Sequence, residues 1–178
     1  YTAESTLRIA KRQKNAKRTY LLVNPLQAKH IPVSPSASLN MMRSLGSKLA
    51  LKYPETKLVI GFAETATAIG AAVAECFGPE CVYIHTTREE VPVVRNWLYF
   101  LEEHSHAVEQ KICGDNIQKW LQNTSQIIFV DDELSTGKTL INMVEQLRLQ
   151  FPELETTLMI AASIMNRLTS ENTQRLSD

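Results

Sequence analysis

Ile127-Ile128-Phe129-Val130-Asp131-Asp132-Glu133-Leu134-Ser135-Thr136-Gly137-Lys138-Thr139 is the stretch that decides the fold. Its four apolar residues suit a strand covered on both faces. Two adjacent carboxylates stand at the end of that strand. A Ser/Thr/Gly loop follows. From Lys138 to about Gln150 the pattern turns helical, with Leu140, Val144 and Leu147 on one face. Strand, acids, loop and helix in this order form one βα unit.

Further units lie on both sides. Residues 57–62 form a strand around Leu58-Val59-Ile60. They run into Ala63-Glu64-Thr65-Ala66-Thr67 and a small-residue helix that Gly78-Pro79 ends. Residues 81–85 and 157–163 read as strands, and residues 20–24 as another, closed by Pro25. Ser36 or Ser38 can cap a helix running to about Lys52, with Leu39, Met42, Leu45 and Leu49 inward. A short helix after Asp115 or Asn116 turns Ile117, Trp120 and Leu121 inward. The expected fold is α/β, with a mostly parallel central sheet flanked by helices and a small hood or lid. Residues 86–112 are the least regular and are assigned to the lid. Residues 1–18 are set apart as a basic arm, and 19–178 as one domain. The arm is read as a solvated segment or helix face, or as a clamp for an anionic partner.

Composition bounds the function. Lys plus Arg equals Asp plus Glu, 19 against 19, which argues against a general nucleic-acid or membrane-surface binder. No apolar run approaches a membrane span. Residues 1–18 lack the apolar core of a signal peptide. The three cysteines, Cys76, Cys81 and Cys113, are too few for a disulfide framework, although Cys76 and Cys81 flank a turn and could pair. Reduced thiols and a cytoplasmic location are the expectation.

In parallel sheets ligands bind beyond the carboxyl ends of the strands. The loop from Ser135 to Thr139 offers N–H groups and hydroxyls at a helix N-terminus, where the dipole favours a phosphate. Asp131 and Asp132 can accept hydrogen bonds from vicinal hydroxyls, or hold magnesium through water. Phosphate and hydroxyls side by side describe a sugar phosphate. A capped helix with solvated acids is the plainer alternative. A nucleotide P-loop would need glycine at position 132, where this chain has Asp132.

The stretch resembles the ribose-phosphate signature of type I phosphoribosyltransferases. Every position fits, with Ser135 for the commoner Thr. By that resemblance, Ala63, Glu64, Thr65, Ala66 and Thr67 form the pyrophosphate loop. The pair of loops would bind the two ends of 5-phosphoribosyl 1-pyrophosphate with Mg²⁺. More narrowly, Lys29-His30-Ile31-Pro32-Val33, Thr86-Thr87-Arg88 and Glu103-His104-Ser105-His106-Ala107 resemble the phosphoribosyltransferase-like proteins of tellurite-resistance-type stress operons. That subfamily implies a nucleoside-like product, and a companion domain or protein encoded in the same operon. The wider family implies a homodimer.

Arg88 falls where the family has a flexible catalytic loop, and its guanidinium would bind departing pyrophosphate. A surface Arg beside Glu89 and Glu90 is the alternative, and Arg95 is a second candidate. His104 and His106 are read as lid groups, as zinc ligands with His85, Cys113 or Glu103, or as structural residues. Trp97, Phe100 and Leu101 are read as a small lid core. The acceptor, a base-like molecule, is expected under a hood made from the segment with Lys29, His30 and Val33, to which the C-terminal strand end, Ser163 to Arg167, could contribute. Two other functions compete with transfer. One is a non-catalytic phosphoribosyl-pyrophosphate sensor, and the other a zinc-dependent hydrolase.

Overall fold

The two most apolar segments predicted as strands are neighbours in a computed structural model, which describes residues 1–11, 19–27, 31–100, 110–122 and 124–177. β3 (Thr56–Gly61) and β7 (Gln126–Leu134) run parallel, with Ile60 opposite Phe129 and Gly61 opposite Val130. Leu58, Val59, Ile60, Ile127, Ile128 and Val130 are completely buried. Such runs require cover on both faces, which is why they do not alternate with polar residues. β4 (Val82–His85) pairs with the outer side of β3, and β8 (Leu158–Asn166) with the outer side of β7. The sheet order is β4-β3-β7-β8, parallel throughout.

α3 (Thr67–Glu75) carries the chain from β3 out to β4. α5 (Lys138–Gln150) carries it from β7 out to β8. The chain therefore leaves β3 and β7 in opposite directions. Their loops part, and the crevice between them is where such sheets bind ligands.

α2 (Pro35–Lys52) precedes β3 and packs on α3. Pro35 in its first turn has a φ already fixed for a helix. Ser38, Met41, Met42 and Gly46 form its buried face. Ser34 is the cap residue, and Ser38 instead donates its hydroxyl to the Leu26 carbonyl at 2.6 Å. Leu39, expected inward, is 38% exposed. One helical step from Ser38 turns it roughly 100° away from the buried stripe. α4 (Ile117–Leu121) buries Ile117 and Leu121 as predicted.

Four features depart from the expectation. β2 (Tyr20–Val23) does not join the sheet. It pairs antiparallel with β1 (Arg8–Lys11), Ile9 opposite Leu22, and α1 (Ala3–Thr6) precedes them. Part of the expected arm is thus a strand, because 20–23 supply it with a backbone partner. β7 and β8 also run on past Val130 and Ser163, pairing as far as Leu134 and Asn166. Leu134 and Met165 are buried there, and they anchor the extension although acids precede Leu134. In the irregular region, β5 (Trp97–Phe100) and β6 (Gln110–Cys113) form an antiparallel pair. Finally, α6 (Ser170–Ser177) had no predicted counterpart.

Cys76, Cys81 and Cys113 are free thiols. No helix among the described residues is long and apolar enough to cross a membrane. Most of the basic run, and Lys29, His30, His104 and His106, lie outside the described residues.

Candidate active site

The crevice is built from two loops, one on each side of the β3–β7 seam. After β7, Gly137 adopts φ 73° and stands at the N-terminus of α5. That left-handed conformation is strained for any residue with a Cβ. A Cβ at Gly137 would also lie 3.0 Å from the Leu176 side chain of α6. Leu176 thus closes the back of the loop. Among the described residues, nothing accepts a hydrogen bond from the N–H groups of Ser135, Thr136 or Gly137. At the start of α5 the Lys138 N–H turns to Thr136 Oγ1 at 3.4 Å, and Gly137 as cap residue brings no side chain to the helix end. Consecutive donors at a positive helix end form an anion cradle.

Asp131 and Asp132 lie on the extension of β7, not after it. Successive strand residues face opposite sides, so Asp131 and Glu133 share one face and Asp132 turns to the other. Asp131 is half-buried, and its Oδ1 accepts the Asp132 N–H at 2.8 Å. Glu133 accepts from Arg167 Nη1 at 2.6 Å, an ion pair joining β7 to the segment after β8. β3 has ended by this point; its last bond to β7 runs from Phe62 N–H to the Val130 carbonyl at 2.9 Å. The acids therefore border the open crevice on their β3 side.

The second loop follows β3. Gly61 and Gly70 make room for the Tyr83 side chain, since a Cβ would come within 2.7 Å of its hydroxyl from Gly61 and of its ring from Gly70. The Tyr83 hydroxyl donates to the Thr67 carbonyl at 2.6 Å, fixing the start of α3. Burial pushes this phenol well above the ordinary tyrosine range. Within the loop, Ala63, Ala66 and Thr67 have committed N–H groups, to Thr86, Phe62 and Glu64 respectively. Among the described residues, the Glu64 and Thr65 N–H groups have no acceptor. These are the donors that the loop presents.

Arg88 stands in the segment after β4, as predicted. Its Nη1 lies 3.9 Å from Glu64 Oε1, so the structure brings the candidate cation to the candidate pyrophosphate loop. The Arg95 backbone N–H instead donates to Asp115, and this bond is the chief cause holding that carboxyl below its usual range.

A cavity of about 340 Å³ lies at the end of β8. Asn24, Met41, Lys48, Ser163, Met165 and Asn166 help line it. Ser163 is the register partner of Asp131, so the cavity lies one strand from the carboxylates. The β8 end was predicted as one wall; the opposite wall comes from α1, α2 and Asn24.

Sequence reasoning cited Thr86 only for the subfamily resemblance and gave no site role to Gln110, Tyr83 or Leu176. Thr86 directly follows a strand and was detectable by position. The others lie on separate elements, the nearest of them, Tyr83, 16 residues from the Thr67 it bonds. Asp131 and Asp132 supply hard oxygen donors, and a magnesium ion takes one or two carboxylates together with phosphate oxygens. Either carboxylate, joined by phosphate oxygens of a ligand, would fit that ion. No group of three or more His, Cys, Asp and Glu among the described residues could hold a metal.

Residues 6–178 match the model of the family described as Phosphoribosyl transferase. No curated protein sequence matches the chain. Its fold is shared with adenine phosphoribosyltransferases. The Saccharomyces cerevisiae enzyme, complexed with an imino-altritol bisphosphate and adenine, superposes with TM-score 0.63 at 16% identity, covering 98% of this chain and 91% of that one. The Trypanosoma brucei enzyme, complexed with AMP, pyrophosphate and ribose-5-phosphate, gives 0.61 at 11%, covering 95% and 80%. The Leishmania tarentolae enzyme gives 0.57 at 13%, covering 96% and 88%.

Proposed function

This chain belongs to the phosphoribosyl transferase family, and we propose that its crevice transfers a 5-phosphoribosyl group from 5-phosphoribosyl 1-pyrophosphate to a base-like acceptor. One observation carries the proposal. Two sets of uncommitted N–H groups, at 64–65 and 135–137, flank a carboxylate pair across a single strand seam. This matches a ligand with phosphates at both ends and hydroxyls between them.

In this reading Ser135 to Thr139 cradle the 5-phosphate, and Asp131 and Asp132 orient the ribose hydroxyls. Glu64, Thr65 and Arg88 receive the pyrophosphate. The bond from C1 to the pyrophosphate oxygen breaks, and the leaving group takes the electron pair. A nitrogen of the acceptor bonds to C1 and loses its proton. Positive charge builds on the sugar beside two carboxylates, while negative charge builds on a leaving group facing Arg88 and amide donors. Catalysis is then chiefly placement and prearranged electrostatics. Magnesium, when bound through Asp131, Asp132 or the ligand, neutralises phosphate charge. The 340 Å³ cavity beside Ser163 is the proposed acceptor site. The resemblance to stress-operon proteins supports a nucleoside-like product.

Pyrophosphate release from phosphoribosyl pyrophosphate, measured across a panel of purine, pyrimidine and related bases with Mg²⁺, tests the reading. Release with at least one base is expected. Binding of the sugar phosphate without release by any base would overturn transfer and favour a sensor.

A further inference from the structure

Thr86 is completely buried, although its side chain is polar. Its Oγ accepts the Ala63 N–H at 2.7 Å and donates to Gln110 Oε1 at 2.6 Å. Ala63 opens the pyrophosphate loop, and Gln110 opens β6 of the lid pair. A single hydroxyl therefore joins three segments that are remote in sequence. Buried polar networks of this kind fix one arrangement, because leaving a member unsatisfied is costly.

The surroundings hold Gln110 in place. Thr87 and Lys111 exchange two backbone hydrogen bonds, of 2.8 and 3.0 Å. The Lys111 side chain is buried, its ammonium paired with Glu90 and 4.6 Å from the centre of the Trp97 ring. The cation is thereby satisfied by a carboxylate and an aromatic face. The 86–90 segment is gripped by the lid pair on one side. On the other it meets the pyrophosphate loop through Thr86 to Ala63 and Arg88 to Glu64.

We infer that Thr86 is a positioning residue, relaying the placement of the lid pair through Gln110 to the Ala63 amide. By taking the Ala63 N–H, it turns that peptide away from the crevice. The next two N–H groups, of Glu64 and Thr65, are left to the ligand. The inference rests on the phosphoribosyl-transfer reading, since it gives those two amides to pyrophosphate. A buried threonine with a purely structural role would affect the whole fold; a positioning residue affects one end of the ligand.

The test compares wild type, Thr86→Val, Thr86→Ser and Gln110→Met. Affinities for Mg²⁺-pyrophosphate and for ribose 5-phosphate are measured by calorimetry. Thr86→Val leaves the Ala63 N–H without its acceptor and should weaken pyrophosphate roughly 10- to 100-fold. Ribose 5-phosphate should stay within about twofold, since its cradle shares no hydrogen bond with Thr86. Thr86→Ser should restore pyrophosphate binding. Gln110→Met, which keeps the threonine, should weaken pyrophosphate by a smaller factor. Exchange of the Ala63 amide proton gives an independent readout, slow in wild type and faster in Thr86→Val. Unchanged pyrophosphate affinity in a folded Thr86→Val, or equal loss of both ligands without rescue by serine, would overturn the inference. If Thr86→Val does not fold, unchanged pyrophosphate affinity in Gln110→Met overturns it instead. A wild type that binds neither ligand refutes the functional reading itself, which is a different result.

Discussion

The two loops of the crevice present the same kind of surface but are held by different means. The 135–137 loop is held by its own backbone, a left-handed Gly137 backed by the apolar Leu176. The 63–67 loop is held by polar side chains from elsewhere: the hydroxyl of Thr86, the phenol of Tyr83 and the ion pair of Arg88 with Glu64. A loop held by conformation has one setting. A loop held by side chains from β4 and from the segment after it can follow those elements. Under the proposed transfer, the difference would suit a rigid grip on the phosphate that stays with the sugar and an adjustable one on the group that leaves.

Substitution at Gly137 should break the rigid side most severely. Gly137→Ala places a Cβ at φ 73°, 3.0 Å from Leu176, and the left-handed backbone alone costs about 1–2 kcal/mol. A lower melting temperature and a large loss of ribose 5-phosphate affinity are expected, with pyrophosphate affinity nearly kept. Arg88→Ala should do the converse. Loss of a charged donor should weaken pyrophosphate about tenfold and leave ribose 5-phosphate unchanged in the same titrations. Leu176→Ala sharpens the point about packing. Alone it should lower stability modestly, by about 1–2 kcal/mol for a half-buried side chain. Combined with Gly137→Ala it should recover part of the loss, because the clash goes and only the backbone strain remains. A fully additive double mutant would contradict the proposed contact.

The smallest effect concerns the adjustable side alone. Burial raises the Tyr83 phenol, so the folded state keeps its proton after the unfolded chain has lost it. Stability is therefore full below about pH 10, the ordinary tyrosine value, and falls as pH rises above it. Melting temperatures from pH 8 to 11 should fall less steeply in Tyr83→Phe than in wild type. Parallel curves would remove Tyr83 from the account.

What could be read in advance follows the same division. The fold was legible because covered parallel strands must be continuously apolar, as Leu58 to Ile60 and Ile127 to Val130 are. The backbone-held loop was legible too, since glycine, hydroxyl residues and helix start lie in one run from Ser135 to Lys138. The strand extension through Asp131 to Leu134 was hidden, because acids are poor strand formers. It is secured by the partner strand β8 and by buried Leu134 and Met165. The side-chain-held loop was only half legible. Its small residues could be seen, but Tyr83 reaches it from β4 and Gln110 bears on it only through Thr86, and no local pattern records such a meeting. The pairing of Arg8–Lys11 with Tyr20–Val23 was missed because basic residues read as a solvated arm.

Calorimetric titration of 5-phosphoribosyl 1-pyrophosphate with Mg²⁺ tests the central claim most directly, comparing wild type with Asp131→Asn/Asp132→Asn. The account predicts saturable binding by wild type. It also predicts a loss of roughly 10-fold or more in the double variant, as charged hydrogen bonds to the ribose are removed. No heat of binding to wild type at millimolar ligand, or equal affinity in the two proteins, would contradict it.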